Sequence, residues 1–158
     1  MPEIKIKFSF IVFNALIFLL RESGMVLGFY IACILHEIGH AVAVSAFGGK
    51  ISRIELSCFG IKITASQPKN LISGIIILLG GPAVNLLTYF LLKISGVHNY
   101  LAVYSLAEGI FNLLPYSFLD GGAVLELIAE GNPHEKILHK FYFILKIAVT
   151  AIILNLFI

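Results

Sequence analysis

Long apolar runs separated by short polar intervals dominate the chain. About 20 helical residues cross the roughly 30 Å of bilayer hydrocarbon, and runs near that length cover residues 25–47, closed by Gly48-Gly49, residues 71–92, closed by Lys93, and residues 137–158. A shorter run, residues 8–20, reaches spanning length only if residues 4–7 join its helix with Lys5 and Lys7 snorkelling to the interface. Arg21-Glu22-Ser23 after it does not resemble a small-residue cleavage site, so the segment is expected to be retained and not removed as a signal peptide. Residues 100–130 are too long for one plain helix and are interrupted by Pro115 and Gly121-Gly122. They predict a broken span, and irregular backbone at membrane depth is tolerated only where it is buried in protein or lines a watery cavity. Between the second and third runs, residues 50–64 alternate partly with period two around Phe59-Gly60, which predicts a short β-hairpin at a membrane face.

These elements make an all-α polytopic membrane protein of about five transmembrane segments, with a broken fourth span and a short cytoplasmic β-hairpin, in one domain covering residues 1–158. Charge gives the orientation. Five crossings put Lys5, Lys7, Lys50, Arg53, Lys62, Lys69, Lys136 and Lys140 on one side and Arg21 and Lys93 on the other, with Lys146 inside the last span. That bias turns the hairpin toward the cytoplasm.

Composition narrows the function. With 59% apolar and 13% charged residues, the chain departs far from the soluble balance of about half and a quarter. A net charge of +2 gives no electrostatic basis for binding nucleic acid. Two cysteines cannot build a disulfide scaffold, and Cys33, inside an apolar run, reads as a buried free thiol and small core residue.

The chemistry lies in His36-Glu37-Ile38-Gly39-His40, an H-E-x-x-H pattern within a helical span. Residues four apart share a helix face, so both imidazoles can grip one metal ion while Glu37 stands beside it as a base. Zinc suits two neutral imidazoles and a carboxylate with one position open for water. Two histidines and a glutamate in lipid are costly without partners or a task, although a buried hydrogen-bonded cluster would also satisfy them. The membrane-embedded acids available as a third ligand are Glu108, Asp120 and Glu126. Depth favours Asp120: at 1.5 Å per residue, His36 lies about 16 Å from the cytoplasmic end of its span and Asp120 about 15 Å from the end of its own. Glu108, one turn before Asn112, reads as a satisfied buried acid. No role is assigned to His98, His134 or His139.

Three motifs in order, His36 to His40, then Gly80-Gly81-Pro82-Ala83-Val84-Asn85, then Asn112-Leu113-Leu114-Pro115-Tyr116-Ser117-Phe118-Leu119-Asp120-Gly121, resemble the site-2 protease family of intramembrane zinc metalloproteases. The last fits that family's N-x-x-P-x-x-x-L-D-G pattern, and the resemblance covers residues 31–122. It implies zinc ligands His36, His40 and Asp120, Glu37 as general base, and Asn112 near the oxyanion or the substrate. Many members carry a second proline where Phe118 stands, so the loop before Asp120 is expected to differ in stiffness. The PDZ or CBS domains flanking many relatives have no counterpart in these residues, and the short core is most similar to the bacterial branch that includes sporulation-factor processing enzymes.

The expected function is regulated intramembrane proteolysis: zinc-dependent hydrolysis of a peptide bond in or near a transmembrane segment of a membrane-associated substrate protein. The expected setting is a multi-pass protein of the bacterial cytoplasmic membrane, its active site toward the cytoplasm and its activity open to a regulatory partner. The alternatives are a catalytically silent zinc-binding scaffold or chaperone, for which Glu37 would be superfluous, and a metal or proton transporter, which would string its polar groups from face to face.

Overall fold

The computed structural model describes residues 2–20, 22–57, 60–66 and 68–156. Cys58 and Phe59 of the expected hairpin turn, and Arg21, lie outside the described residues. The order of elements is β1 (Glu3–Ile6), α1 (Phe8–Leu20), α2 (Ser23–Ala46), β2 (Ile51–Ser57), β3 (Gly60–Ala65), α3 (Leu71–Ile94), α4 (Tyr100–Asn112), α5 (Asp120–Ala129) and α6 (Glu135–Leu156).

Among the described residues three helices are long and apolar enough to cross a membrane: Ser23–Ala46, Leu71–Ile94 and Glu135–Asn155. The broken fourth span appears as two short helices, α4 of 13 residues and α5 of 10, joined by the loop that carries Pro115. Helix starts follow local chemistry. Asn70 caps α3 by accepting from the Ser73 amide while the Ser73 hydroxyl takes the Asn70 amide, a reciprocal capping box. Asn99 caps α4 by accepting from Ala102 N at 3.0 Å.

Residues 4–7 do not extend α1, contrary to the expectation from the sequence. Glu3–Ile6 is a strand, paired parallel to β2 with Glu3 opposite Arg53 and Lys5 opposite Glu55, while β2 and β3 form the antiparallel hairpin. Of the two lysines that would have had to snorkel, Lys7 has a better use here. Lys7 Nζ stands 2.6 Å from Glu55 Oε1, and Arg53 Nε donates to Glu3 Oε2 at 2.8 Å. The Lys7 amine holds the Glu55 carboxyl below the usual carboxylate range. With α1 confined to 13 residues, its rise is about 20 Å.

Helices α2, α3 and α4 pack together, α5 lies against α3, and α6 sits at the periphery against α5. Helix α2 is sorted as a helix in lipid should be. Ile34, Ile38 and Val42 form an exposed stripe, whereas Cys33, His36, Gly39 and Ala43 turn inward. The fully buried polar side chains Ser73, Asn85 and Ser105 also face the bundle interior, the placement that spares polar groups contact with hydrocarbon. At the end opposite the sheet, the Tyr100 hydroxyl donates to Glu22 Oε2 at 2.9 Å, joining the start of α4 to the α1–α2 turn.

Candidate metal centre

Helical spacing places the His36 and His40 rings one turn apart on α2, with Nε2 atoms 3.1 Å from each other. Asp120, the first residue of α5, completes the group: its Oδ2 lies 3.1 Å from His36 Nε2 and 3.4 Å from His40 Nε2. One ligand atom from each of the three residues falls within 4.8 Å of the others, close enough to hold a metal ion. The donor set of two imidazole nitrogens and one carboxylate oxygen is one that zinc accepts, and Asp120 Oδ2 is buried without a hydrogen-bond partner. The residues present therefore fit the ion.

The surroundings of the His40 ring fit it as well. A histidine that coordinates through Nε2 bears its proton on Nδ1 and needs an acceptor there. His40 Nδ1 has one at 2.7 Å, the backbone carbonyl of Ile77. His36 Nδ1 faces the Asn85 amide, whose Nδ2 is 3.4 Å away. Pro82 removes the helical donor to the carbonyl of Leu78, but it is the neighbouring Ile77 carbonyl that receives His40.

Two glycine pairs let the backbone close around this group. Gly39 and Gly80 bring α2 and α3 into contact, so that a Cβ at Gly39 would run into the Gly80 carbonyl. A Cβ at Gly81 would lie 2.5 Å from His40 Nε2 and 2.7 Å from His36 Nε2, inside the space a bound ion needs. At the other element, a Cβ at Gly121 would strike the Leu113 carbonyl and one at Gly122 the Tyr116 carbonyl. That close approach folds the start of α5 onto the end of α4. Leu119 N completes the turn by donating to Tyr116 O at 2.8 Å. Phe118, in the place of the family's second proline, is exposed and stacks on Tyr116 at 5.8 Å. The Tyr116 hydroxyl in turn meets Thr150 Oγ1 of α6 at 2.7 Å.

Glu37 stands beside the ligands, within electrostatic reach of both imidazoles and Asp120 and near the backbone of Ile63. Strand β3 is an edge of the sheet, so one side of the hairpin borders the metal centre. Asn112 is half-buried, and its Nδ2 donates to the Glu108 carbonyl of its own helix at 3.1 Å. Glu126 is exposed and away from the ligand group. Cys33 is buried as a free thiol. Neither the Asn85 contact to His36 nor the nearness of Ile63 to Glu37 is legible in the residues alone, because each pairs residues of different elements across the fold.

The fold and the ligand group together define a multi-pass membrane protein with a three-residue group able to hold a metal ion. Comparison with known proteins agrees. Residues 91–156 match the family model Peptidase family M50. A Synechocystis sp. protein named "Putative zinc metalloprotease sll0528" is 30% identical over 124 residues, which cover 69% of this chain and 33% of that protein. Among solved structures, the site-2 protease from Methanocaldococcus jannaschii shares the fold with a TM-score of 0.66 at 24% identity, over 88% of this chain and 72% of that one. The fold is thus that of a site-2 protease. It spans about a third of the length of the curated relative it matches.

Proposed function

We propose that the protein is an intramembrane zinc metalloendopeptidase that hydrolyses a peptide bond in or near a transmembrane segment of a membrane-associated protein. The observation that carries this reading is the convergence of His36, His40 and Asp120 within 4.8 Å, beside a glutamate one residue along from the first histidine. A zinc ion held by His36 Nε2, His40 Nε2 and an Asp120 carboxylate oxygen would supply Lewis acidity, which polarises a carbonyl and makes water nucleophilic near neutral pH. Glu37 takes the proton of the attacking water and passes it to the leaving amine, which departs neutral. Asn112 uses one amide proton within its helix; the other donates to the oxygen on which charge develops.

A substrate helix buries its amides in its own hydrogen bonds, so it must unwind before water can attack. The outer edge of β3 suits an unwound segment, which would add to it as a strand. Alternation supports this. Ser66 N donates across to Lys50 O on the β2 side, so the amides of Ile61, Ile63 and Ala65, of opposite parity, turn outward. We place the protein in the bacterial cytoplasmic membrane with this edge on the cytoplasmic side, following the distribution of lysine and arginine.

The test is zinc content together with cleavage of a transmembrane test substrate by purified protein, wild type beside Glu37→Gln. Wild type carrying about one zinc and cutting, with Glu37→Gln holding the metal but not cutting, is the expected result. Zinc in both without cleavage in either would favour the scaffold reading.

A further inference from the structure

Helix α6 carries a lysine, Lys146, in the middle of an apolar span, and that lysine has no part in the metal centre. A charge at such depth is costly in lipid unless it meets a partner. Its side chain leans toward the start of α6, as helix geometry directs, into a cavity of about 150 Å³ between α5 and α6 that Glu126, His139 and Tyr142 also line. One water's share of liquid volume is about 30 Å³, so the cavity has room for more than a bridging water. His139 is matched by Glu135, 3.5 Å away and one turn earlier on α6. Among the described residues Lys146 and Glu126 have no ion-pair partner, not even each other. One cation and one anion thus face the same space unpaired.

A shallower hollow of about 310 Å³ continues from Lys146 along α6, lined by Ile147, Thr150, Ala151 and Leu154. Thr150 adds little polarity to it, because its hydroxyl donates to Lys146 O and meets the Tyr116 hydroxyl, each at 2.7 Å. From Lys146 to Leu154 the helix rises about 12 Å, most of the roughly 15 Å that one leaflet contributes to the hydrocarbon. The two hollows share Lys146 and together present a charged head end and an apolar tail end, the outline of a lipid.

The pair of charges selects the headgroup. A phosphate alone suits Lys146 but is repelled by Glu126, whereas a headgroup with both a phosphate and a primary ammonium gives each residue its complement. We infer that the α5–α6 crevice binds a zwitterionic aminophospholipid of the phosphatidylethanolamine type, its phosphate on Lys146, its ammonium on Glu126 and one acyl chain along Ile147, Ala151 and Leu154. Basic pockets between spanning helices hold lipid phosphates; here the carboxylate adds the choice of headgroup. The site does not depend on the metal centre. A lipid seated in it bridges α6, otherwise at the periphery, to the helix that begins with Asp120.

The experiment counts lipids bound to the purified protein in detergent by native mass spectrometry, as phosphatidylethanolamine, phosphatidylglycerol or phosphatidylcholine with the same acyl chains is titrated in. Wild type is compared with Lys146→Met, Glu126→Gln and Ala151→Trp. Wild type should bind phosphatidylethanolamine at least about tenfold more tightly than phosphatidylglycerol, the difference one charge-assisted contact makes. Lys146→Met should weaken phosphatidylethanolamine binding by at least about tenfold for the same reason. Glu126→Gln removes the repulsion and should bring the two lipids within about threefold of each other. Ala151→Trp fills the tail groove, leaves both charges in place and should weaken every lipid. The wild-type preference needs no variant, so the outcome does not hang on how any one of them folds. Equal binding of the three lipids to wild type would overturn the inference, as would undiminished phosphatidylethanolamine binding in both Lys146→Met and Ala151→Trp. So would capture at Lys146 of a transmembrane peptide bearing an acidic residue with no lipid preferred, which would assign the crevice to protein segments.

Discussion

The Cα of Gly81 faces His36 so closely that a single added carbon would stand 2.7 Å from its Nε2, and 2.5 Å from the Nε2 of His40. Helix α3 thus forms one wall of the metal centre with bare backbone. Gly81→Ala should fold with a penalty of about 1–3 kcal/mol from overpacking and lose most of its bound zinc. Metal analysis of the purified variant checks this, and full zinc occupancy would show that the wall can move.

Glu37→Gln keeps the shape of the side chain and removes its basicity. Turnover should fall by about 10²- to 10⁴-fold, the span usual for lost proton transfer, while zinc content stays at the wild-type level. Loss of zinc with activity would move Glu37 from the chemistry to the holding of the ion.

Asp120→Ala takes away the only carboxylate in the ligand group. Zinc affinity should drop by at least about tenfold, comparable to losing a group that supports a ligand. Glu126→Ala, at an exposed position on the same helix, should leave it unchanged. Equal losses in the two variants would mean that α5 matters as a helix and not as the carrier of a ligand.

Ile61→Pro removes an outward-facing amide from β3 and leaves the bonds to β2 intact. If a substrate adds to this edge, cleavage of a transmembrane substrate should slow at least tenfold with zinc unchanged. Cleavage at the wild-type rate would exclude strand addition at Ile61.

The Lys7–Glu55 pair predicts a pH dependence for the sheet. Because Lys7 holds the Glu55 carboxyl below its ordinary value, its contribution is present above the unfolded carboxylate pKa and is lost as pH falls through the lowered one. Protection of the Lys7 amide, which bonds to Leu56 O at 2.9 Å, should therefore exceed that of a Glu55→Gln variant at neutral pH. The difference should shrink on acidification, as hydrogen exchange can measure; a difference that grew would reverse the sign of the argument.

Local geometry made part of this protein readable from its residues. His36 and His40 share a helix face by spacing alone, and the glycines and Pro115 announce the break between α4 and α5 before any packing is known. Strand β1 was hidden because Glu3, Ile4, Lys5 and Ile6 alternate over only four positions. Such a short run becomes a strand only by pairing with β2, some fifty positions away. Glu108 reads from sequence as an acid with its needs met, yet in the fold one of its oxygens is left over.

The parallel pairing of β1 with β2 carries a rule of parity. Strands bonded side by side lie on one face of the membrane, so the chain between them crosses an even number of times. Helix α2 makes one passage; α1, despite its 13 residues, must make the other. The Tyr100–Glu22 bond at the opposite end agrees, fastening the far tip of α1 and α2 to the start of α4. A helix rising about 20 Å can complete that passage only where the bilayer yields. A bilayer that α1 crosses would have to thin on that flank of the fold.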